Sequence, residues 1–334
     1  MRVLVFGGTL FVSQAVAAEA VARGHDVVCA ARGKSGRVPD GATLVPVDRD
    51  AHDGLSALVG ERFDAVVDTS IMSHRWTADA LAALVSNAGH WTFVSSISVY
   101  SDHSVPGQGT DAPVHEPRPV HATLADRDDD PDLYGAVKVA SENTVRDAMT
   151  NRAFVVRPGL VTGPGDHTDR FGYWPARFAR GGQVVVPDAQ QQMQYIDVRD
   201  LAEWIVTAAE QRLAGTFDGI GAPAPLSELL AGIAGAVGGS GADAEMVPIA
   251  PEVLTEAEVA PWGGPRSLPL WLPPGYEGMG AHDAEPALAA GLRPRPLADA
   301  VAGALAHERA LGLDRERKSG LTPAEEAQLL APRA

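Results

Sequence analysis

Short apolar runs alternate with amphipathic stretches through the N-terminal two thirds of the chain. The apolar runs are typical of strands because they are brief and bounded by Gly, Asp or Ser, whereas the stretches between them carry helical spacing. Strands separated by helices in this way predict an α/β fold with a doubly wound parallel sheet. The predicted strands are 3–6, 27–30, 44–47, 63–70, 91–96 and 153–156, with helices among the intervening segments at 13–23, 78–85 and 134–149.

A glycine turn follows the first predicted strand and leads into the first predicted helix. Gly7-Gly8-Thr9 permits a tight turn and the close approach of a pyrophosphate, whose charge suits a helix N-terminus. A βαβ unit of this kind is typical of the dinucleotide-binding Rossmann fold. The repeat Gly-x-x-Gly-x-x-Gly is incomplete, because Leu10 and Ser13 occupy its second and third glycine positions. A plain strand–turn–helix is therefore the alternative.

The alternation of strands and helices changes in two places. Residues 101–132 form a long Pro- and Asp-rich loop, and residues 167–182 are aromatic and basic, fitting either a pocket lining or an amphipathic core helix. Beyond a helix ending near 212, the pattern predicts a helix within 223–246, a loop at 250–282 and helices at 283–290, 297–311 and 323–330. We predict a Rossmann domain of 1–166 plus 195–222 and a smaller, discontinuous C-terminal substrate domain of 167–194 plus 223–334.

The end of the second strand indicates which dinucleotide binds. An acidic residue at position 31 would bind the ribose 2′-hydroxyl of NAD, and the chain has Ala31 there. Arg32 and Lys34 can instead meet a 2′-phosphate, so we expect NADP in preference to NAD, with two solvated loop cations as the alternative. After the third strand, Asp48 can accept a hydrogen bond from an adenine amino group, and a helix N-cap is the alternative.

The strongest helical pattern carries Tyr134 and Lys138, which lie one turn apart on the same face. An ammonium beside a phenol lowers the phenol pKa from its unperturbed value of about 10, as a general acid requires. Ser96, at the end of the fifth strand, can hydrogen-bond a substrate oxygen as its charge changes. Taken alone, the Tyr-Lys pair could instead be two side chains on the exposed surface of a helix without a function. Such sheets bind ligands at the ends of their strands, where the pattern places Gly7, Arg32, Asp48, Ser70 and Ser96.

Charge and composition restrict the possible partners. The net charge of −16 disfavours nucleic acid and anionic membranes, and no apolar run is long enough to span a bilayer. The N-terminus runs directly into a strand without a signal peptide, and Cys29 is the single cysteine, so we expect a reducing cytoplasm. Cys29 lies in an apolar strand, which favours an inert thiol. His103, His115 and His121 match no metal-site spacing, so we expect no metal.

Ordered landmarks over about residues 1–215 resemble the extended short-chain dehydrogenase/reductase superfamily, of the NAD-dependent epimerase/dehydratase type. A tail motif in 315–330 resembles bacterial members known as reductases or epimerases. The landmarks are Gly7-Gly-Thr-x-Phe-Val, Asp48, Ser95-Ser-Ile-Ser-Val-Tyr100, Tyr134-Gly-x-x-Lys138 with Glu142, Arg157-Pro with Gly163-Pro-Gly-Asp166, and Tyr195-Ile-Asp-Val-x-Asp-Leu-Ala202.

This resemblance implies roles for individual residues. Ser96 matches the catalytic Ser/Thr, Tyr134 the acid/base, and Lys138 the residue that binds the nicotinamide ribose and tunes the tyrosine. It also implies a homodimer that forms through the tyrosine-bearing helix and its neighbour. The candidate cofactor-binding residues are Gly7, Thr9, Leu10, Phe11, Val12, Arg32, Lys34, Asp48, Arg49, Ser70, Lys138, Pro158 and Val161.

Three functional hypotheses follow. The first is an NADP(H)-dependent oxidoreductase that moves a hydride between nicotinamide and a carbonyl or carbinol of a small polyhydroxylated or cyclic metabolite. The second is an epimerase that retains its cofactor, and the third is a non-catalytic dinucleotide sensor. Ile97-Ser98 stands where dehydratases of the family carry Asp-Glu, which argues against dehydration. Met193 replaces a diphosphate-binding arginine, so a nucleotide sugar is disfavoured unless Arg177 or Arg180 substitutes.

Overall fold

A computed structural model of the protein describes residues 1–238 and 243–332. Within those ranges no helix has the length and apolar character needed to cross a bilayer. The last part of the helix predicted within 223–246 falls partly on residues 239–242, which lie outside the described residues.

The helices and strands follow the predicted alternation through the first half of the chain. The strands are β1 Arg2–Phe6, β2 Asp26–Ala31, β3 Thr43–Pro46, β4 Ala65–Asp68, β5 Trp91–Val94, β6 Ala153–Pro158, β7 Val161–Thr162, β8 Gly182–Pro187, β9 Gln192–Met193, β10 Ile196–Asp197, β11 Gly215–Gly219, β12 Ala224–Pro225, β13 Ala244–Ile249, β14 Ala260–Trp262 and β15 Ser267–Pro269. The helices are α1 Phe11–Ala22, α2 His74–Leu84, α3 Asp126–Asp129, α4 Leu133–Met149, α5 Arg170–Phe178, α6 Val198–Gln211, α7 Leu226–Gly238, α8 Pro251–Glu256, α9 Glu285–Ala289, α10 Leu297–Leu311 and α11 Pro323–Leu330.

A seven-stranded sheet in the order β11-β6-β5-β4-β1-β2-β3 forms the centre of the fold. Every neighbouring pair in it is parallel. The predicted doubly wound Rossmann sheet is therefore confirmed. The sequence pattern missed β11, because Gly-Thr-Phe-Asp-Gly lacks an apolar run and is recruited only by pairing with β6.

Alternating side chains of β1 divide the sheet into two faces. Val3 and Val5 pack with α1 and α6 on one face, whereas Leu4 and Phe6 pack with α2 and α4 on the other. This alternation follows from the two-residue period of a strand, and burial on both faces explains why the strand is apolar throughout. Because all the strands are parallel, their carboxyl ends meet at one edge of the sheet, and the candidate site lies at this edge.

A second hydrophobic core lies in the C-terminal half and involves α5, α7 and α10 together with the parallel pair β8–β13. Helix α5 contributes Phe171, Trp174 and Phe178, all fully buried. Of the two interpretations of 167–182, the amphipathic core helix is thus correct for this part of the segment. Arg177 is also buried and donates to Glu326 at 2.6 Å, so it is not free to substitute for a diphosphate-binding arginine.

The loop predicted at 250–282 is wrong in part, since short elements occupy it. Helix α8 begins at Pro251, the first-turn position that tolerates proline, and β14 pairs with β15 in parallel. These elements are too short to show a period in the sequence.

The long loop that precedes α4 is fastened to the C-terminal half by backbone hydrogen bonds. Gly278 donates to the carbonyl of His103 at 2.7 Å, and Gly107 donates to the carbonyl of Ala281 at 2.6 Å. Gly278 has to be a glycine at this contact, because a Cβ there would lie 2.3 Å from the Val105 carbonyl oxygen. The loop therefore has a fixed course against residues 276–283.

The C-terminal tail packs on the second core through charged side chains, among which the carboxylates Asp169 and Glu308 are buried. Arg315 donates to Asp169 at 2.5 Å and to Glu308 at 3.0 Å, and Arg317 donates to Glu308 at 2.9 Å. The Ser319 hydroxyl donates to the carbonyl of Thr168 at 3.0 Å. The tail motif noted in the sequence thus holds the segment that leads into α5.

The Gly7-Gly8 turn lies directly on β2. Gly8 has a φ of +88°, and a Cβ at this position would lie 2.4 Å from the Cys29 sulfur. Cys29 is buried, and burial raises the pKa of its thiol to about 11, which disfavours the reactive thiolate.

This contact predicts different costs for two glycine replacements with similar backbone conformations. Gly60 has a φ of +84° with no atom within 4 Å of its Cβ position, so Gly60→Ala should cost about 1 kcal/mol of backbone strain. Gly8→Ala should cost about 3 kcal/mol, because overpacking against Cys29 is added to the same strain. Urea unfolding of both variants measures the difference, and adding Cys29→Ala should recover part of it. Equal costs would contradict the contact.

Candidate active site

Lys138 is buried at the centre of the site, beneath the edge where β4 and β5 end. Its ammonium donates to the carbonyl of Ser70 at 2.5 Å and to the carbonyl of Val94 at 2.7 Å. The Nζ atom lies 4.9 Å from the centre of the Phe93 ring and 5.8 Å from the centre of the Tyr134 ring. Burial lowers the pKa of Lys138 to about 8, against the opposing effects of two nearby carboxylates, Asp68 and Glu142.

Tyr134 and Ser96 are brought to the same edge by the packing of α4 on the turn after β5. Ser96 accepts the Ser98 amide at 3.1 Å, and its hydroxyl lies 3.1 Å from the Ser98 hydroxyl. A Cβ at Gly135 would lie 2.0 Å from the Ser98 carbonyl oxygen, so only glycine lets the first turn of α4 approach this closely. Tyr134, the preceding residue, is half-buried.

A buried carboxylate, Asp68, ends β4 beside this centre. Its Oδ1 accepts the Ser70 amide at 3.0 Å, the Ser70 hydroxyl at 2.5 Å and the Arg49 guanidinium at 3.1 Å. Burial disfavours ionisation of Asp68, but the Arg49 charge and these donors outweigh it and hold the pKa below its usual value. Arg49 stacks over Phe6 at 4.3 Å and also donates to the carbonyl of Trp76.

A second carboxylate, Glu142, lies one turn beyond Lys138 on α4. It accepts both Nε and Nη2 of Arg157, at 2.9 and 2.7 Å, and the Ser95 hydroxyl at 2.5 Å. Burial opposes its ionisation, yet Arg157 and Ser95 hold the pKa of Glu142 below its usual value. Glu142 therefore fixes the end of β5, next to Ser96.

The polar network continues from Arg157 toward the C-terminal half. Arg157 donates to the Tyr100 hydroxyl at 3.0 Å, which in turn donates to Asp218 at 2.7 Å. The His282 ring lies against Tyr100, and its Nδ1 is 3.3 Å from Asp218 Oδ2. Burial and the Asp218 charge raise the pKa of Tyr100, so this phenol stays protonated.

The glycine turn can accept a dinucleotide pyrophosphate. The first turn of α1 has no side-chain cap on its amides, which leaves the helix N-terminus open to an anion. Ser13 turns its hydroxyl to the Leu10 carbonyl at 2.8 Å, and a Cβ at Gly7 would lie 2.8 Å from that hydroxyl. Ser13 thus fits at the last fingerprint position because Gly7 lacks a side chain.

The loop after β2 folds over this turn. The Thr9 hydroxyl lies 3.2 Å from the Ser35 hydroxyl, and Gly36 packs against the carbonyl of Thr9. Arg32 and Lys34 are exposed on the same loop, and the described residues offer their side chains no hydrogen bond or ion pair. Both cations therefore remain open to a ligand.

The remaining predicted cofactor residues lie around the same edge, and their roles stay predictions. Asp48 is exposed and accepts the Asp50 amide at 3.2 Å; no helix begins there, so the N-cap alternative is wrong. Leu10 is exposed, whereas Val12 is half-buried. The His167 ring packs edge-on against Phe11 at 5.9 Å. The two residues at the end of β6 and in the strand that follows it are Pro158 and Val161.

His103 and His121 lie against different residues of the fold. His121 lies 2.8 Å from the Ser73 hydroxyl and packs beside Trp76, whereas His103 stacks on Tyr276. Among the described residues, no group of three or more His, Cys, Asp or Glu is placed to hold a metal ion.

Comparison with known proteins gives the family. A sequence model of the NAD dependent epimerase/dehydratase family matches residues 3–217, which is more than half of the chain. The protein belongs to this family. The description of this family disfavours the hypothesis of a non-catalytic sensor.

Individual relatives refine this assignment. The chain is 36% identical over 199 residues to the 2'-dehydrokanamycin reductase of Streptomyces kanamyceticus, covering 56% of this chain and 52% of that reductase. The chain thus spans about half the length of this curated relative. The Bordetella bronchiseptica enzyme WbmH, solved in complex with NAD+, matches with a TM-score of 0.65 at 19% identity and covers 93% of this chain and 99% of its own. UDP-glucuronic acid 4-epimerase from Bacillus cereus matches with a TM-score of 0.62 at 14% identity, covering 96% and 100%. These two structures support the fold.

Sequence reasoning missed the buried charges that surround Lys138. Asp68 was visible as an acidic residue directly after three apolar residues of β4, where a buried strand rarely carries a charge. Glu142 and Arg157 were seen only as landmarks of the family. Their partners come from chain segments far apart in sequence, so no local pattern predicts these contacts.

The Glu142–Arg157 pair predicts a large loss of stability when its charge balance is broken. Glu142→Gln should lower the free energy of unfolding by about 3 kcal/mol, because it leaves the Arg157 charge buried without its partner. Glu61→Gln is the matched control, since Glu61 pairs with Arg2 at 2.6 Å on the exposed surface and should cost under about 1 kcal/mol. Urea unfolding at neutral pH measures both, and similar losses would contradict a buried pair.

Proposed function

We propose that this member of the family is an NAD(P)H-dependent reductase of a carbonyl group on a small, ring-containing polyhydroxylated metabolite. The buried Lys138 ammonium one helical turn from Tyr134 carries the proposal, because it is placed to favour the phenolate of that tyrosine. The similarity to a reductase at 36% identity supports reduction as the direction.

Within the proposal, each residue of the site has a distinct task. Tyr134 donates a proton to the carbonyl oxygen as negative charge develops there. Ser96 holds the same oxygen by a hydrogen bond, and the adjacent Ser98 amide keeps its hydroxyl in place. Lys138 stabilises the tyrosinate that remains. A bound nicotinamide supplies the hydride.

The cofactor preference rests on the loop after β2. Ala31 offers no carboxylate to a ribose 2′-hydroxyl, whereas Arg32 and Lys34 are exposed cations with no protein partner among the described residues. We therefore propose NADP in preference to NAD. The uncapped N-terminus of α1 would hold the pyrophosphate.

The substrate is proposed to lack a nucleoside diphosphate. Met193 is buried in the second core, and Arg177 is held by Glu326, Gly181 and Gln183, so neither side chain can bind a diphosphate. Arg180 is exposed and stays the alternative contact for a diphosphate.

Epimerase activity with a retained cofactor is the alternative, supported by the description of the family. It would use the same Ser96, Tyr134 and Lys138. Absorbance and mass spectrometry of the protein as purified separate the two functions, since an epimerase would carry tightly bound NAD(H).

A homodimer and a cytoplasmic location stay predictions.

The proposed proton donor predicts the effect of removing one hydroxyl. Tyr134→Phe should lower kcat for NADPH-dependent reduction at least about a hundredfold, because the carbonyl oxygen loses its proton source. 2′-Dehydrokanamycin and simple cyclic ketones serve as first substrates, with NADPH absorbance as the readout. Tyr276→Phe is the control, because Tyr276 contacts His103 through a ring that phenylalanine retains. Full activity in Tyr134→Phe would overturn the assignment.

The exposed cations predict the cofactor response. NADPH should raise the thermal midpoint of the protein more than NADH does. Replacing Arg32 and Lys34 together by Ala should weaken NADPH binding by about tenfold or more and leave NADH binding unchanged, because only the 2′-phosphate contact is lost. Arg37→Ala, on the same exposed loop, is the control. Equal responses to both cofactors in the parent protein would argue against NADP.

A further inference from the structure

Asp68 is a buried carboxylate that lies outside the Ser96, Tyr134 and Lys138 set. It is fully inaccessible to solvent, whereas its partner Arg49 keeps about a tenth of its side chain exposed. A buried carboxylate costs several kcal/mol of desolvation, so its contacts have to offset about that much. Three donors converge on its Oδ1, two of them from Ser70.

Those two donors connect Asp68 to the catalytic lysine. By accepting both the amide and the hydroxyl of Ser70, Asp68 fixes the backbone just after β4. The carbonyl of the same Ser70 accepts the Lys138 ammonium at 2.5 Å. The position of Lys138 therefore depends on Asp68 through the Ser70 backbone.

The charges around Lys138 give Asp68 a second effect. Asp68 faces it from β4 and Glu142 from α4, and both negative charges favour its protonated form. Arg49 lies behind Asp68 and Arg157 behind Glu142, while the titratable phenol of Tyr134 lies one turn away on α4.

We propose that Asp68 is a positioning residue for catalysis: it holds the Ser70 carbonyl against Lys138 and keeps that buried lysine charged. The proposal deepens the proposed function and rests on it for the role of Lys138. It differs from a purely structural Arg49–Asp68 pair, which would support the fold and leave the lysine unaffected.

The lysine content of the chain makes a direct test practical. Lysine occurs only at positions 34, 138 and 318, so protein labelled with ε-13C lysine gives three side-chain NMR signals. Lys34→Arg and Lys318→Arg identify the two signals that are not Lys138. Titration then follows the Lys138 ammonium in the resting protein, without substrate or turnover.

Asp68→Asn keeps the shape of the side chain and removes its charge. The Lys138 titration should move to lower pH by about one unit or more, because the protonated lysine loses a favourable charge. Asp64→Asn is the matched control, since Asp64 lies just before the opposite end of β4 and its carboxylate accepts the Arg2 amide at 2.7 Å. An unchanged Lys138 titration in folded Asp68→Asn protein would overturn the proposal.

A second variant covers the case in which Asp68→Asn does not fold. Arg49→Gln combined with Asp68→Asn removes both charges and leaves no buried ion unpaired, which costs less stability than removing one partner. The Lys138 titration should again move to lower pH, by a smaller amount, and an upward shift or no shift would contradict the proposal. If the parent protein reduces no carbonyl compound, the proposed function fails, and the lysine titration still decides the role of Asp68.

Discussion

The site depends on one constraint, which is that the Lys138 ammonium is buried away from solvent. An ion buried in this way costs several kcal/mol unless fixed acceptors and opposite charges replace its hydration. Lys138 meets this requirement with the carbonyl groups that end β4 and β5. Strands β4 and β5 must therefore end at positions where the Lys138 ammonium can donate to a carbonyl of each chain segment.

The charges behind the lysine extend that requirement across the protein. Arg49, Asp68, Lys138, Glu142 and Arg157 alternate in sign from β3's end to β6. Each buried charge is tolerated because of its neighbours, so substitutions among these residues should not act additively. The same arrangement explains how α4 can carry Tyr134, a cation and a carboxylate within three turns.

The parallel sheet could be predicted because it follows from the local period of the chain. Ser96, Tyr134 and Lys138 could be singled out from their order along the chain, and their catalytic roles stay predictions. Strand β11 could not, since its residues lack an apolar run and pair with β6 some sixty residues earlier in sequence. The sequence leaves Arg177 as a possible ligand contact because its partner, Glu326, lies about 150 positions away. Contacts of this kind arise only when the chain is folded, and the buried carboxylates beside Lys138 belong to the same class.

The backbone bonds between the 103–108 loop and residues 278–283 link the long loop that precedes α4 to a late part of the chain. A ribosome adds about 5–20 residues per second, so roughly ten seconds or more separate the synthesis of the two segments. During that interval the Gly107 amide and the His103 carbonyl have only water as partners. This loop is thus fixed in place only near the end of synthesis, and a nascent chain stalled before residue 276 would expose it to proteases.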